Sequence, residues 1–152
     1  MTAPWDSGKV FVIAEAGSNW RQGSAARDLR MARTLIDVAA EAGADAVKFQ
    51  TYRPETLYAV GAGSSDYLAA AGVREPISDI LADLAMPYEM IPELAEHARA
   101  CGLLFLSTPF SPRDFAEVDP FVAVHKSASY EISHLRLIEL AGRSGKPLVL
   151  ST

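Results

Sequence analysis

Five short apolar runs, each ending in side chains equipped for chemistry, constrain this chain more than any other feature of its sequence. Residues 10–14 lead into Glu15, Ser18 and Asn19, and residues 44–47 lead into Lys48, Gln50 and Thr51. Residues 103–106 lead into Ser107 and Thr108, residues 121–124 into Lys126, Ser129 and Glu131, and residues 148–150 into Ser151 and Thr152. Helical patterns separate the runs, an alternation that reads as parallel strands joined by crossover helices. Parallel strands placed side by side bring their C-terminal ends to one edge, so all five polar tails converge there. That edge is where α/β barrels carry their active sites.

Periodicity gives the element order. Strands are expected over 9–16, 45–51, 103–108, 121–128 and 147–151, with helices over 25–42, 92–100, 112–118 and 134–143. Leu29, Ala32, Leu35, Ile36 and Ala39 recur on one face of the first helix, and Gly43 is its stop. Residues 52–91 break the rhythm as a long insertion holding Gly61, Gly63, Pro76 and Pro87, with Ile80, Leu81 and Leu84 at helical spacing inside 77–86. The insertion leaves the second strand at the polar edge. It is therefore either a lid over a substrate or a surface excursion without a part in chemistry.

Composition narrows the partners. A chain of 152 residues that is 49% hydrophobic can bury a sizeable core. A net charge of −5 and a pI near 5.1 argue against nucleic acid and anionic membrane as partners. They leave room for an anionic substrate, because a few lysines in a cleft dominate the local field. No apolar run reaches the ~18–20 residues of a membrane span. The N-terminus lacks the charged and apolar regions of a signal peptide, so a cytoplasmic protein is expected. The single Cys101 excludes an intrachain disulfide framework and offers no cysteine cluster for a metal, and its expected role is a small buried thiol.

The residues also carry a resemblance. Ala14-Glu15-Ala16-Gly17-Ser18-Asn19, Gly43-Ala44-Asp45-Ala46-Val47-Lys48-Phe49-Gln50-Thr51 and Leu106-Ser107-Thr108-Pro109-Phe110 are similar to motifs of the sialic acid synthase family. So are Lys126-Ser127-Ala128-Ser129 with Glu131, and Gly145-Lys146-Pro147 leading to Ser151-Thr152. The insertion fits through Tyr52-Arg53-Pro54-Glu55-Thr56-Leu57 and Pro87-Tyr88-Glu89. The motifs run in the family's order from about residue 10 to the last. The resemblance implies a (β/α)8 TIM-type barrel, present here as about four βα units plus a fifth strand, with 1–152 forming the N-terminal portion. The rest of the barrel and a C-terminal antifreeze-like domain would lie outside this chain.

The resemblance implies condensation of phosphoenolpyruvate with an open-chain N-acetylated sugar aldehyde of the N-acetylmannosamine type. The product is a nine-carbon 2-keto acid, and phosphate is released. A divalent metal, Mn²⁺ or Mg²⁺, is implied, with its ligands outside this chain. None of His97, His125 or His134 matches a ligand position, so no metal ligand is assigned here. Phosphoenolpyruvate carries a phosphate and a carboxylate, and its site needs fixed cations and many donors. Lys48 and Lys126 on buried strands supply the charge, with hydroxyl or adjacent backbone donors from Thr108, Ser129 and Ser151. Read alone, the two lysines are as well explained by ion pairs with Glu15 and Glu131. Glu15 and Gln50 are expected to face the sugar. Glu131, just beyond Ser129, is placed to handle a proton. Glu15, Glu131 and Lys48 are thus the catalytic candidates, and Gln50, Thr108, Lys126, Ser129 and Ser151 the substrate-binding ones.

Three departures from the family pattern bear on specificity. Trp20 stands where a His is usual and offers a stacking surface for a sugar; Ser127 and Tyr130 replace an apolar and a smaller residue. The third is the ending at strand five, well short of the about 250 residues of a complete barrel. A barrel portion with open edges is expected to associate as a homo-oligomer or aggregate, and to turn over weakly alone. Two other readings remain at this stage. One is a different phosphoenolpyruvate-dependent keto-sugar-acid synthase acting on a phosphorylated sugar, with Arg53, Arg74 and Arg113 as candidate phosphate ligands. The other is a non-catalytic half-barrel that binds an anion or a partner chain.

Overall fold

A computed structural model describes residues 3–6, 8–57 and 75–152. The chain alternates strand and helix: β1 (Ile13–Gly17), α1 (Ala25–Glu41), β2 (Ala46–Thr51), α2 (Pro54–Leu57), α3 (Ile77–Leu84), α4 (Met90–Ala100) and β3 (Leu104–Pro109). Helix α5 (Pro112–Val118), β4 (His125–Ser127), α6 (Leu135–Arg143) and β5 (Leu148–Leu150) follow, with 3-10 turns at Asp119–Phe121 and Ser129–Glu131. Every strand pairing is parallel, in the order β1-β2-β3 and, separately, β4-β5. β4 lies beside β3, but no ladder joins them.

Helix α1 forms because its apolar residues recur at helical spacing and bury Ala32, Ile36 and Ala39. It ends at Gly43, whose φ of +78° is a left-handed conformation that side chains other than glycine adopt at a cost. The outward side of the sheet packs beneath the helices. Val47, Phe49, Leu103 and Phe105 meet Ile36 of α1 and Ile91, Leu94 and Ala98 of α4, with Phe49 stacked on Phe105 at 5.9 Å between ring centroids.

The other side of the sheet is graded along the strands. On it, Ala46, Leu106 and Val124 are buried, with the partly buried Trp5, Phe11, Ile13, Leu104 and Val149 packed against them. Two residues further along β1, β2, β4 and β5, the same side presents Glu15, Lys48, Lys126 and Ser151. An apolar floor thus lies beneath a polar rim.

Two strands begin well after the residues that the sequence suggests. The first begins at Ile13 rather than at residue 9, because the segment before it meets β2 through Val12, whose carbonyl accepts the Asp45 and Ala46 N–H groups. Asp45 Oδ2 accepts the Val12 N–H at 2.7 Å, and Val10 and Val12 are exposed. The fourth begins at His125 rather than at residue 121, because Asp119-Pro120 starts a 3-10 turn in which proline fixes φ. The Asp119 carboxylate holds that turn in place, 2.8 Å from Lys146 Nζ and 3.0 Å from His125 Nε2.

His125 is 1% exposed and its ring stacks on Phe115 at 4.6 Å. Burial pushes its pKa below the usual imidazole value, Asp119 partly opposes this, and the Lys146 charge adds to the lowering. The unfolded chain therefore binds the proton more readily than the folded one. Stability contributed by neutral His125 is present above an unfolded pKa of about 6.5 and is lost as pH falls through the lower folded value. Urea unfolding between pH 7.5 and 5 should show falling stability, and His125→Phe should flatten that slope.

Candidate active site

The C-terminal ends of the strands bring together most of the charged residues singled out in the sequence. In the ladder, Glu15 sits opposite Lys48, which sits opposite Leu106, while Gln50 sits opposite Thr108. Glu15 Oε2 and Lys48 Nζ form an ion pair. Lys48 and Gln50 share one face of β2 while Phe49 packs into the helix-covered core, as strand alternation requires. On the neighbouring pair of strands, Lys126 Nζ donates to the Ser127 carbonyl at 2.6 Å and to Ser151 Oγ.

The two lysines belong to one electrostatic unit. Burial and then the Lys48 ammonium push Lys126 below the usual lysine range, with Glu15 partly opposing. Of the ion pairs that the sequence allowed, Lys48 with Glu15 forms. Lys126 forms no ion pair among the described residues, and Glu131 is not its partner. Glu131 sits half-buried on the 3-10 turn beyond β4, where burial raises its pKa and His134 partly opposes the rise. Ser129 opens the same turn and is exposed, whereas Thr108 is buried at the end of β3.

A register shift between Glu15 and Gly17 aims the first carboxylate. Bulges of this kind re-aim a side chain near a site. Gly17 has φ +54°, and a Cβ built on it would lie 3.3 Å from Glu15 Oε1 and 3.8 Å from Gln50 Nε2. Gly17 is thus the floor between the two side chains, a position that the motif contained but whose role spacing did not reveal. Gly17→Ala should cost about 1 kcal/mol in backbone strain and displace Glu15, which urea unfolding and turnover would register together.

Other residues serve the fold, some of them in roles different from those expected. Trp20 is 2% exposed and lies in the core beneath the helices, so it offers no surface to a sugar. Its ring is too large and apolar to remain in the loop once α1 and α4 provide a core. Cys101 is half-buried rather than enclosed, its thiol 3.6 Å from Asp37 Oδ1. His134 accepts the Leu137 N–H at the start of α6, a capping role. Arg53 stacks on the Tyr88 ring at 3.5 Å and donates to the Tyr52 and Met86 carbonyls. Arg113 lies 5.7 Å from the same ring, and Arg74 lies outside the described residues.

Loop contacts that carry no local sequence signal hold this edge together. Tyr88 donates to Asp114 Oδ1 at 2.7 Å, and its pKa is pushed up to about 12, first by burial and then by that carboxylate. Asp114 also accepts from Ser111, the N-cap of α5. Arg21 bridges Asp28 on α1 and Asp83 on α3, docking the described end of the insertion against the loop after β1. These partners lie up to 62 residues apart, beyond any local signal. The part of the insertion read as a possible lid over 58–74 lies outside the described residues.

Parallel strands under helices, with an apolar floor and a charged rim at the strand ends, define part of a (β/α)8 barrel wall carrying its functional face. The chain belongs to the NeuB family, whose model matches residues 35–152. It is 39% identical over 146 residues to the spore coat polysaccharide biosynthesis protein SpsE of Bacillus subtilis (strain 168), covering 94% of this chain and 37% of that protein. It is 32% identical to a pseudaminic acid synthase of Campylobacter jejuni, covering 95% of this chain and 41% of that protein. The crystal structure of an N-acetylneuraminic acid synthetase from Leptospira borgpetersenii superimposes with a TM-score of 0.74 at 30% identity, covering 93% of this chain and 44% of that one. The chain therefore spans about two fifths of the length of these relatives. Among the described residues, no helix is long and apolar enough to cross a membrane.

Proposed function

We propose that the strand-end cluster binds phosphoenolpyruvate and that the chain serves its condensation with an open-chain N-acetylated sugar to a 2-keto sugar acid. One observation carries this reading. Lys48 and Lys126, from different strands, converge closely enough for one charge to depress the other, and Glu15 is the carboxylate that acts on both. Two ammonium groups and one carboxylate leave net positive charge at a site that is partly desolvated. An anion with separate phosphate and carboxylate groups relieves that repulsion.

The chemistry divides among these residues. Lys126 and Lys48 hold the anionic groups, with hydroxyl or backbone donors from Ser151, Thr108 and Ser129. Gln50 and Glu15, side by side over Gly17, bond the sugar hydroxyls. The enol carbon attacks the aldehyde carbon, forming the new C–C bond, and water adds to the resulting cationic carbon. Phosphate then leaves with cleavage of its C–O bond. Glu131, with its pKa raised by burial, is suited to handing over a proton in this sequence.

The implied Mn²⁺ or Mg²⁺ belongs to the proposal, with ligands supplied from outside this chain. Among the described residues, the single grouping of three potential metal ligands lies in the helical layer and not at the strand ends. Association through the open edges of β1 and β5 is likewise proposed, and light scattering measures it. Of the arginines that the phosphosugar alternative would use, Arg53 is held by Tyr88 and two carbonyls.

The test is phosphate release from phosphoenolpyruvate with N-acetylmannosamine and Mn²⁺, together with the mass of the product. A product equal to sugar plus pyruvate supports the reading, and phosphosugar-dependent release would replace it with the alternative. The relatives named above differ in their sugar products, so a panel of N-acetylated sugars belongs in the same assay.

A further inference from the structure

Away from the strand ends, three side chains of different chemical type meet where α1 packs against α4. His97 and Cys101 stand at positions i and i+4, so the last turn of α4 carries both on one side. Cys101 is the C-cap and keeps helical backbone angles, φ −82° and ψ 0°. Asp37 approaches from the last turns of α1. Its Oδ1 lies 2.7 Å from His97 Nε2 and 3.6 Å from Cys101 Sγ. One ligand atom of each residue lies within 4.8 Å of the other two.

We propose that Asp37, His97 and Cys101 form a three-ligand site for a Zn²⁺-class divalent metal that clamps α1 to α4, with water as the fourth ligand. Bonds of about 2.0–2.3 Å in a tetrahedron separate ligand atoms by roughly 3.3–3.8 Å. The sulfur–oxygen spacing already falls in that range, and the imidazole need withdraw by only a fraction of an ångström. Imidazole, thiolate and carboxylate together select zinc over magnesium or calcium, which prefer sets made of oxygen alone. Side-chain exposures of 30% for His97 and 48% for Asp37 give the ion an entry path and its water a place.

Because Cys101 is the chain's single cysteine, any thiolate–metal band must come from it. The test is a titration with Co²⁺ as a spectroscopic stand-in for Zn²⁺, on the wild type, Cys101→Ser and Asp37→Asn. The expected result is one Co²⁺ per chain, with tetrahedral d–d absorption and a sulfur-to-cobalt charge-transfer band in the near ultraviolet. Cys101→Ser should abolish that band, and both variants should bind at least tenfold more weakly, with circular dichroism confirming their fold. Zn²⁺ at a hundredfold excess over its Kd should raise the Tm of the wild type by about 4 °C or more. Weak octahedral absorption without the sulfur band, unchanged affinity in Cys101→Ser, or one metal bridging two chains would each overturn the proposal.

Discussion

Lys126→Ala should lower phosphoenolpyruvate affinity by at least about 30-fold and turnover by roughly 10²–10³-fold, while leaving the fold intact. Lys126 is half-buried, and its ammonium is held by a carbonyl and the Ser151 hydroxyl instead of by a carboxylate. It already sits below the usual lysine range through burial and the neighbouring Lys48 charge. A bound phosphate or carboxylate would give this ammonium the direct ion-pair partner that no described residue supplies. Removing it loses a charge-assisted hydrogen bond in a desolvated setting, which is worth far more than the same bond at a surface. Lys126→Arg keeps the charge but brings a planar fork into a site shaped around a point cation, so it should rescue binding only in part. Isothermal titration and phosphate release on the three proteins provide the comparison. Equal affinity in wild type and Lys126→Ala would remove Lys126 from the site.

Phe49→Ala should destabilise the chain by about 3–5 kcal/mol, a large share of the roughly 5–15 kcal/mol that holds a typical domain together. Phe49 is fully buried, stacks on Phe105, and lies on β2 between Lys48 and Gln50. Its loss leaves a cavity under α1 and α4 that their backbones cannot fill without moving. The same residue keeps its neighbours Lys48 and Gln50 facing the rim, so the substitution should also weaken ligand binding. Urea unfolding followed by circular dichroism measures the first effect. A loss below about 1 kcal/mol would mean that the helix-covered core repacks freely.

The fold is legible wherever apolar runs and helical faces are bounded by glycine or proline. The first helix, the second and third strands and the helix beginning at Pro112 fall within a residue or two of their expected bounds. The first and fourth strands begin later than their apolar runs, because apolar residues alone do not specify a ladder. Asp45 takes the Val12 N–H, and Asp119-Pro120 turns the chain before His125. At the site, strand parity placed Lys48 with Gln50. The register that sets Glu15 opposite Lys48 came from the folded chain. Trp20 shows the limit of motif reading: a position next to a site motif turned out to serve the core. His97 and Cys101 carried an i, i+4 signal in the sequence, but Asp37 is 60 residues from His97 and only packing brings it there.

Calorimetric titration of phosphoenolpyruvate into this chain and into Lys48→Ala/Lys126→Ala tests whether Lys48 and Lys126 make the proposed phosphoenolpyruvate site at the strand ends. The wild type should show one site per chain and binding that weakens as salt rises, and the double variant no measurable binding. Absence of binding to the wild type, or the same affinity in both proteins, would contradict this site.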